Sequence, residues 1–209
     1  MRIAVCLSGS PRYIKEGFFF TKKHIITENC DVFAHAWNCS EQEKSDILQL
    51  YIPKLWCFDL QPIPIEGRGN GRSMFRSIQK CNELKCKYEN ELGFKYDIVV
   101  RHRFDNIMMH KYEFGAIDGN CVYLETHTEH FDDRFAFGNS SMMDIYSQAF
   151  DYVTVDKINN SYAEKLLKKY LQNLNVPIKH MKYDGFIARE RNFPYYTYPD
   201  AENILNQIR

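Results

Sequence analysis

The chain has 209 residues, 44% hydrophobic and 26% charged, with 27 Lys plus Arg balanced by 27 Asp plus Glu. Such a composition can bury one sizeable core, is short for two, and excludes a disordered chain. A net charge of zero also argues against nonspecific nucleic-acid binding, which needs surplus cations to neutralise phosphate, though it leaves room for a local basic pocket.

The amino-terminal run Arg2–Leu7 (Ile-Ala-Val-Cys-Leu at its centre) reads as a buried strand that stops at Ser8-Gly9-Ser10-Pro11. It is too short for a secretory signal, and no stretch approaches the ~20 apolar residues that cross a bilayer. A cytoplasmic domain, 1–209, is expected, compatible with being the amino-terminal part of a longer polypeptide. The seven cysteines form no CxxC pair and read as reduced core residues.

Pro11 suits the first turn of a helix, expected over roughly Tyr13–Thr27. Asp31–Trp37 reads as a second strand, Glu41–Tyr51 as weakly helical and Lys54–Phe58 as a third strand. Gln61–Gly71, with two prolines and three glycines, reads as a loop. Ser73–Leu92 carries apolar residues at three- and four-residue steps and predicts a helix stopped by Gly93. Tyr96–Asp105 follows as a strand with the apolar centre Ile98-Val99-Val100. Cys121–Glu125 and Arg134–Phe137 read as two further strands.

Ser141-Met-Met-Asp144 and Ser161-Tyr-Ala-Glu164 are capping signals, each before an apolar helical stripe. Tyr195–Tyr198 reads as extended, and a helix is expected from Asp200. Alternating strands and helices predict an α/β fold with a mostly parallel central sheet flanked by helices. Ligands on such sheets sit outside the carboxyl ends of the strands.

Two polar segments occupy such ends. The small-residue turn Ser8-Gly9-Ser10 exposes backbone N–H groups before a helix, and Arg12 can pair with phosphate. It is neither a Walker A loop nor GxGxxG, and it also reads as a tight turn that merely needs glycine. Arg101-His102-Arg103-Phe104-Asp105 ends the most apolar strand. Alternation puts Arg101, Arg103 and Asp105 on one face and His102 and Phe104 on the other. Asp105 could hold a hard divalent cation, with Arg103 neutralising phosphate or orienting the carboxylate. An internal Arg–Asp network fits the same pattern.

His127-Thr-Glu-His-Phe-Asp-Asp133 reads first as a solvated polar loop. Asp132 and Asp133 immediately precede the apolar Phe135-Ala-Phe137, however, where a carboxylate could face a sugar as hydroxyl ligand or base. His180 reads as a solvated loop histidine, with metal ligation as the alternative. Arg189, Glu190 and Arg191 read as a surface patch.

Four segments taken together, Met1 to Arg12, Asp31 to Trp37, Tyr96 to Asp105 and Asp132 to Gly138, resemble a family of viral and bacterial glycosyltransferase-like proteins with the GT-A fold. The resemblance covers Met1 to about Arg191. It implies a UDP-sugar donor (UDP-glucose-like), a divalent metal, commonly Mn2+ with Mg2+ as the alternative, and a glycan or glycoprotein acceptor. Retention of anomeric configuration, capsid glycosylation and the host cytoplasm of a virus come with it. Members usually carry Asp-x-Asp after the central strand. Here Arg103-Phe104-Asp105 stands there, so Asp105 alone carries over as metal ligand and His180 is the expected second. The helix from Ser73 would lie near the donor and offer Arg76, Ser77 or Lys80.

The expectation is a metal-dependent glycosyltransferase. Asp105 and His180 would hold metal, and Ser8, Gly9, Ser10, Arg12, Arg76, Ser77, Lys80 and Arg103 would hold the nucleotide. Asp132 and Asp133 would face the reacting sugar. The alternatives are a nucleotidyltransferase or other nucleotide-processing enzyme, which needs a second acidic ligand near Asp105, and a noncatalytic sugar-binding module.

Overall fold

The computed structural model describes residues 1–61, 69–115 and 118–189. In chain order its elements are β1 (Ile3–Gly9), α1 (Ile14–His24), β2 (Cys30–Trp37), α2 (Glu41–Tyr51), β3 (Leu55–Asp59), α3 (Gly69–Leu92), β4 (Ile98–His102), β5 (Asn106–Met108), β6 (Val122–Thr126) and β7 (Phe131–Gly138). There follow α4 (Ser140–Ser147), α5 (Ala149–Tyr152), α6 (Val155–Asn160), α7 (Ala163–Asn173), β8 (Ile178–His180) and β9 (Gly185–Ile187).

A seven-stranded sheet runs β3-β2-β1-β4-β7-β6-β8. Strands β1, β2, β3 and β4 are mutually parallel, and β8 is parallel to β6, while β7 pairs antiparallel with both β4 and β6. The sheet is therefore mostly parallel with one reversed strand. A small antiparallel pair, β5 with β9, lies beside it.

Both faces of the sheet are covered, which is why the central strands are continuous apolar runs. In β1, Ala4 and Cys6 belong to a core that also holds Phe75 and Ile78 of α3, Tyr146 of α4 and Leu167 of α7. Ile3, Val5 and Leu7 point the other way, into a core with Ile14 and Phe18 of α1 and Ile47 of α2. Strand β4 divides likewise, Val99 to the first core and Ile98 and Val100 to the second. All seven cysteines are free. Among the described residues no helix is long and apolar enough to cross a membrane.

Several boundaries differ from the sequence reading. Helix α3 begins at Gly69, four residues before Ser73, inside a segment read as loop. Helix α2 is firmly capped: Ser40 Oγ accepts from Glu43 N at 3.3 Å and Glu43 Oε2 accepts from Ser40 N at 2.7 Å. The residue capping α4 is Asn139, whose Oδ1 accepts from Met142 N at 2.8 Å, and the expected cap at Ser141 lies inside the helix. Helix α7 starts after Tyr162 without a side-chain cap, so Ser161 and Glu164 form no capping box. Strand β4 ends at His102, and 103–105 is a turn. Strand β7 begins at Phe131, earlier than expected, and so takes Asp132 and Asp133 into the sheet. Tyr195–Tyr198, the helix from Asp200, Glu190 and Arg191 lie outside the described residues.

The turn after β4 is fixed by α1. His102 is buried, and burial pushes its pKa down to about 3, so the ring is neutral. Its Nδ1 accepts from Asn106 Nδ2 at 3.1 Å, and its Nε2 lies 3.0 Å from Thr21 Oγ1, which donates to Gly17 O at 2.7 Å. At Gly17 the helix lies directly on the Phe104 carbonyl, and a Cβ there would sit 1.7 Å from that oxygen. Replacing Gly17 with Ala must push α1 off the turn. Overpacking of this kind should lower the unfolding free energy by at least ~2 kcal/mol. Denaturant unfolding of Gly17→Ala checks this, and a wild-type midpoint would contradict the packing described.

Candidate active site

The reversal of β7 places its amino end beside the carboxyl end of β4. Charged residues from both strands therefore meet at one edge of the sheet, where β1 and β2 also end. Gly9 closes β1 with φ +130°, a conformation that glycine alone adopts easily, and apart from its chain neighbours no atom of the described residues lies within 4 Å of where its Cβ would be. The backbone at Gly9-Ser10 is thus open to a bound molecule.

Two clefts meet at this edge, the second of them the more polar. The first, about 340 Å³, is bordered by Gly9, Ser10 and Arg12 from the β1–α1 loop, by Trp37 at the end of β2, and by Ser73 from the start of α3. The second, about 470 Å³, is bordered by His127 and His130 of the β6–β7 turn, by Asp132 and Arg134 of β7, and by Arg189. Met74, Arg103, Asp133 and Glu164 border both.

The charges at the edge are unequally partnered. Asp105 is 1% exposed and accepts from Arg103 through both oxygens, Nε to Oδ1 at 2.7 Å and Nη2 to Oδ2 at 2.8 Å. Arg12 Nη2 adds a third bond to Oδ2 at 3.1 Å. Burial works against the charge on Arg103, but the bonds to Asp105 prevail and raise its pKa. Asp132 is tied to its neighbour: Arg134 Nε donates to Oδ1 and Oδ2 at 3.0 and 2.8 Å, Arg134 Nη2 also bonds Oδ2, and Arg134 N donates to Oδ1 at 2.7 Å. Arg101 is buried and donates through Nη1 to Arg134 O at 2.9 Å, while its Nε and Nη2 meet no acceptor among the described residues.

Asp133 differs from both other aspartates. It is 8% exposed, and no hydrogen bond reaches its carboxylate among the described residues. Burial pushes its carboxyl up to about 6; the charges of Arg101 and Arg103 pull it down, and those of Glu164 and Asp132 push it up further. A carboxyl poised near neutrality on the shared wall of two clefts can take or give a proton at physiological pH.

The structure sorts the expected site residues. Gly9, Ser10, Arg12, Arg103, Asp132 and Asp133 border the clefts. Ser8 is buried, its Oγ without a partner among the described residues. Ser77 is also buried, 2.7 Å from His35 Nδ1, and so closed to a ligand. Arg76 lies over the Phe150 ring and Lys80 pairs with Glu83, and neither is among the described residues that border these two clefts. Of α3, it is the opening residues Gly71, Ser73 and Met74 that border the clefts. His180 is exposed on β8, hydrogen-bonded to Thr126 Oγ1 at 3.0 Å, and borders neither cleft.

Asp105 and His180 therefore do not fit as a shared metal site: the carboxylate is closed by two guanidinium groups, and the imidazole lies elsewhere. Sequence reasoning missed Trp37, although it ends a strand at the edge where ligands bind. It also missed Glu164, whose capping-like position carried no sign that it borders both clefts. Comparison of the chain with protein-family models and with curated proteins finds no match.

The two β7 carboxylates should respond differently to neutralisation. A raised folded pKa means that the stability given by the protonated Asp133 is fully present below its ordinary value of 3.8 and lost as pH rises through about 6. Ionised at pH 8, Asp133 thus costs up to ~3 kcal/mol. Asp133→Asn removes that cost and should match or exceed wild-type stability at pH 8, with the gain shrinking toward pH 5. Asp132→Asn breaks the pair with Arg134 and should cost ~1–3 kcal/mol. Unfolding of both variants between pH 5 and 8 separates them, and a destabilised Asp133→Asn would show that carboxylate to be structural.

Proposed function

We propose that the protein is a glycosyltransferase with a GT-A-like fold, which moves a sugar from a UDP-sugar to a hydroxyl group of a glycan or glycoprotein acceptor. The observation that carries this reading is the wall shared by the two clefts, which Arg103 and Asp133 both line. One reactant needs its negative charge neutralised and the other needs a proton removed, and these two residue types supply both functions at the junction of two spaces.

In this reading the first cleft takes the nucleotide. The open backbone at Gly9-Ser10 and the guanidinium groups of Arg12 and Arg103 face its diphosphate. The second cleft takes the acceptor. Asp133 accepts the proton of the attacking hydroxyl, whose oxygen forms a bond to the anomeric carbon. The bond from that carbon to the diphosphate oxygen breaks, and the electron pair leaves with UDP, facing Arg12 and Arg103. A single displacement of this kind inverts the anomeric centre, in contrast to the retention implied by the resemblance. A divalent cation such as Mn2+, as the resemblance also implies, would supply neutralisation of the leaving diphosphate; Asp105 as placed here is not a fitting ligand for it.

A base must be ionised to act, so transfer should rise with pH and level off above an inflection near 6. Asp133→Asn should lower turnover by at least ~100-fold while changing UDP affinity little, the signature of a group acting in the transition state. Transfer from a panel of UDP-, GDP- and CMP-sugars, with the anomeric configuration of product followed by NMR, checks donor and stereochemistry together. Wild-type turnover in Asp133→Asn would remove the base, and failure to bind any of the nucleotides would remove the enzyme reading.

A further inference from the structure

Resting on that donor assignment, we infer that the diphosphate is held by two arginines in place of a divalent cation, and that Asp105 is the positioning residue that sets them. A cation bound to Asp105 would need a free carboxylate lone pair at 2.0–2.6 Å. Three of its roughly four lone-pair sites already accept charge-assisted bonds, on Oδ1 from Arg103 Nε and on Oδ2 from Arg103 Nη2 and Arg12 Nη2, which leaves one on Oδ1. A metal ion would also stand beside two guanidinium charges that a single carboxylate cannot cancel.

Other ligand sets near the clefts are closed in the same way. Glu125, His127 and Asp132 have metal-ligating atoms within 4.8 Å of one another. Arg134 already occupies that space, bonded to Asp132 and 3.8 Å from Glu125. Of the carboxylates that border these clefts, Asp132 is taken by an arginine, whereas Asp133 and Glu164 carry no arginine bond among the described residues.

The same geometry suits a diphosphate. The two-point pairing of Arg103 with Asp105 fixes the plane of its guanidinium, and such a group meets phosphate oxygens in pairs. Two of the Arg103 nitrogens bond Asp105, which leaves further N–H donors on a side chain that borders both clefts. Arg12 spends one nitrogen on Asp105 and is 56% exposed, so the rest of its donors are free to turn to a ligand. Two cations on one carboxylate leave one positive charge in this triad, on the cleft that Asp133 and Glu164 also border. The expected ligand is therefore a nucleoside diphosphate, and both its phosphates matter.

Titration calorimetry of the whole chain with UDP and with UMP, in EDTA and in Mn2+, tests this. UDP should bind with the same affinity, within threefold, in both buffers. Arg12→Ala, which leaves Asp105 its two bonds from Arg103, should weaken UDP by at least tenfold and UMP by threefold at most. Asp105→Asn, where it folds, should narrow the difference between UDP and UMP in the same way, a ratio that a purely structural role would not move. UDP binding that strengthens tenfold or more with Mn2+ would overturn the two-arginine site while leaving the donor reading intact, as would an Arg12→Ala variant with wild-type UDP affinity. A wild-type protein that binds UDP in neither buffer would overturn the donor reading and this inference with it.

Discussion

Strand β7 runs against its neighbours, and the chemistry of the molecule follows from that reversal. In a wholly parallel sheet the amino end of a strand lies at the edge opposite the ligand-binding end. By pairing antiparallel with β4, β7 delivers Asp132 and Asp133 to the edge where β4 delivers Arg103 and where β1 delivers Gly9. Opposite charges then meet in a partly desolvated space, where a carboxylate left without a partner is costly. Two of the three aspartates escape that cost by closing on arginines. The third, Asp133, does not, and its raised pKa is the consequence.

That residual cost is informative. Arg101 has two guanidinium nitrogens without acceptors, and the hydroxyl of Tyr146 is also unpartnered among the described residues. Arg101, Tyr146 and Asp133 influence one another's titration, so they belong to one electrostatic neighbourhood beneath the shared wall. Proteins keep unsatisfied polar groups mainly where function uses them and the surrounding fold can carry the penalty.

The fold has the means to carry it. On the far side of α3, Lys85 is fully buried yet bonded to Glu89 at 3.1 Å, Ser140 at 2.7 Å and Asp144 at 2.6 Å. Glu89 in turn accepts from Tyr96 N at 2.9 Å and from Lys95 at 2.8 Å. This network has all its charges paired and ties α3 to α4 and to the entry of β4. Away from the clefts, then, buried charge is fully compensated, whereas at the clefts it is not.

Much of this was legible in the sequence. Hydrophobic period placed β1, β2, β4, α3 and α7, because both sheet faces are buried and the helical stripes are wide. Alternation put Arg101 and His102 on opposite faces, as observed, and the strand-end rule pointed to Gly9, Ser10, Arg12 and Arg103. What local pattern could not supply was direction and partnership. Nothing in Phe131–Gly138 says that the strand runs backwards, since strand polarity is set by which neighbour it pairs with. The start of α3 at Gly69 contradicts local glycine content, yet the helix forms because its stripe packs on the sheet. Ser77 and Asp105 have the residue chemistry of ligands, and only the tertiary structure shows that His35 has claimed one and two arginines the other. The sequence by itself determined which charged residues flank the apolar strands. The three-dimensional pairing decided which of those charges remain available, because availability depends on what has come within hydrogen-bond distance from far along the chain.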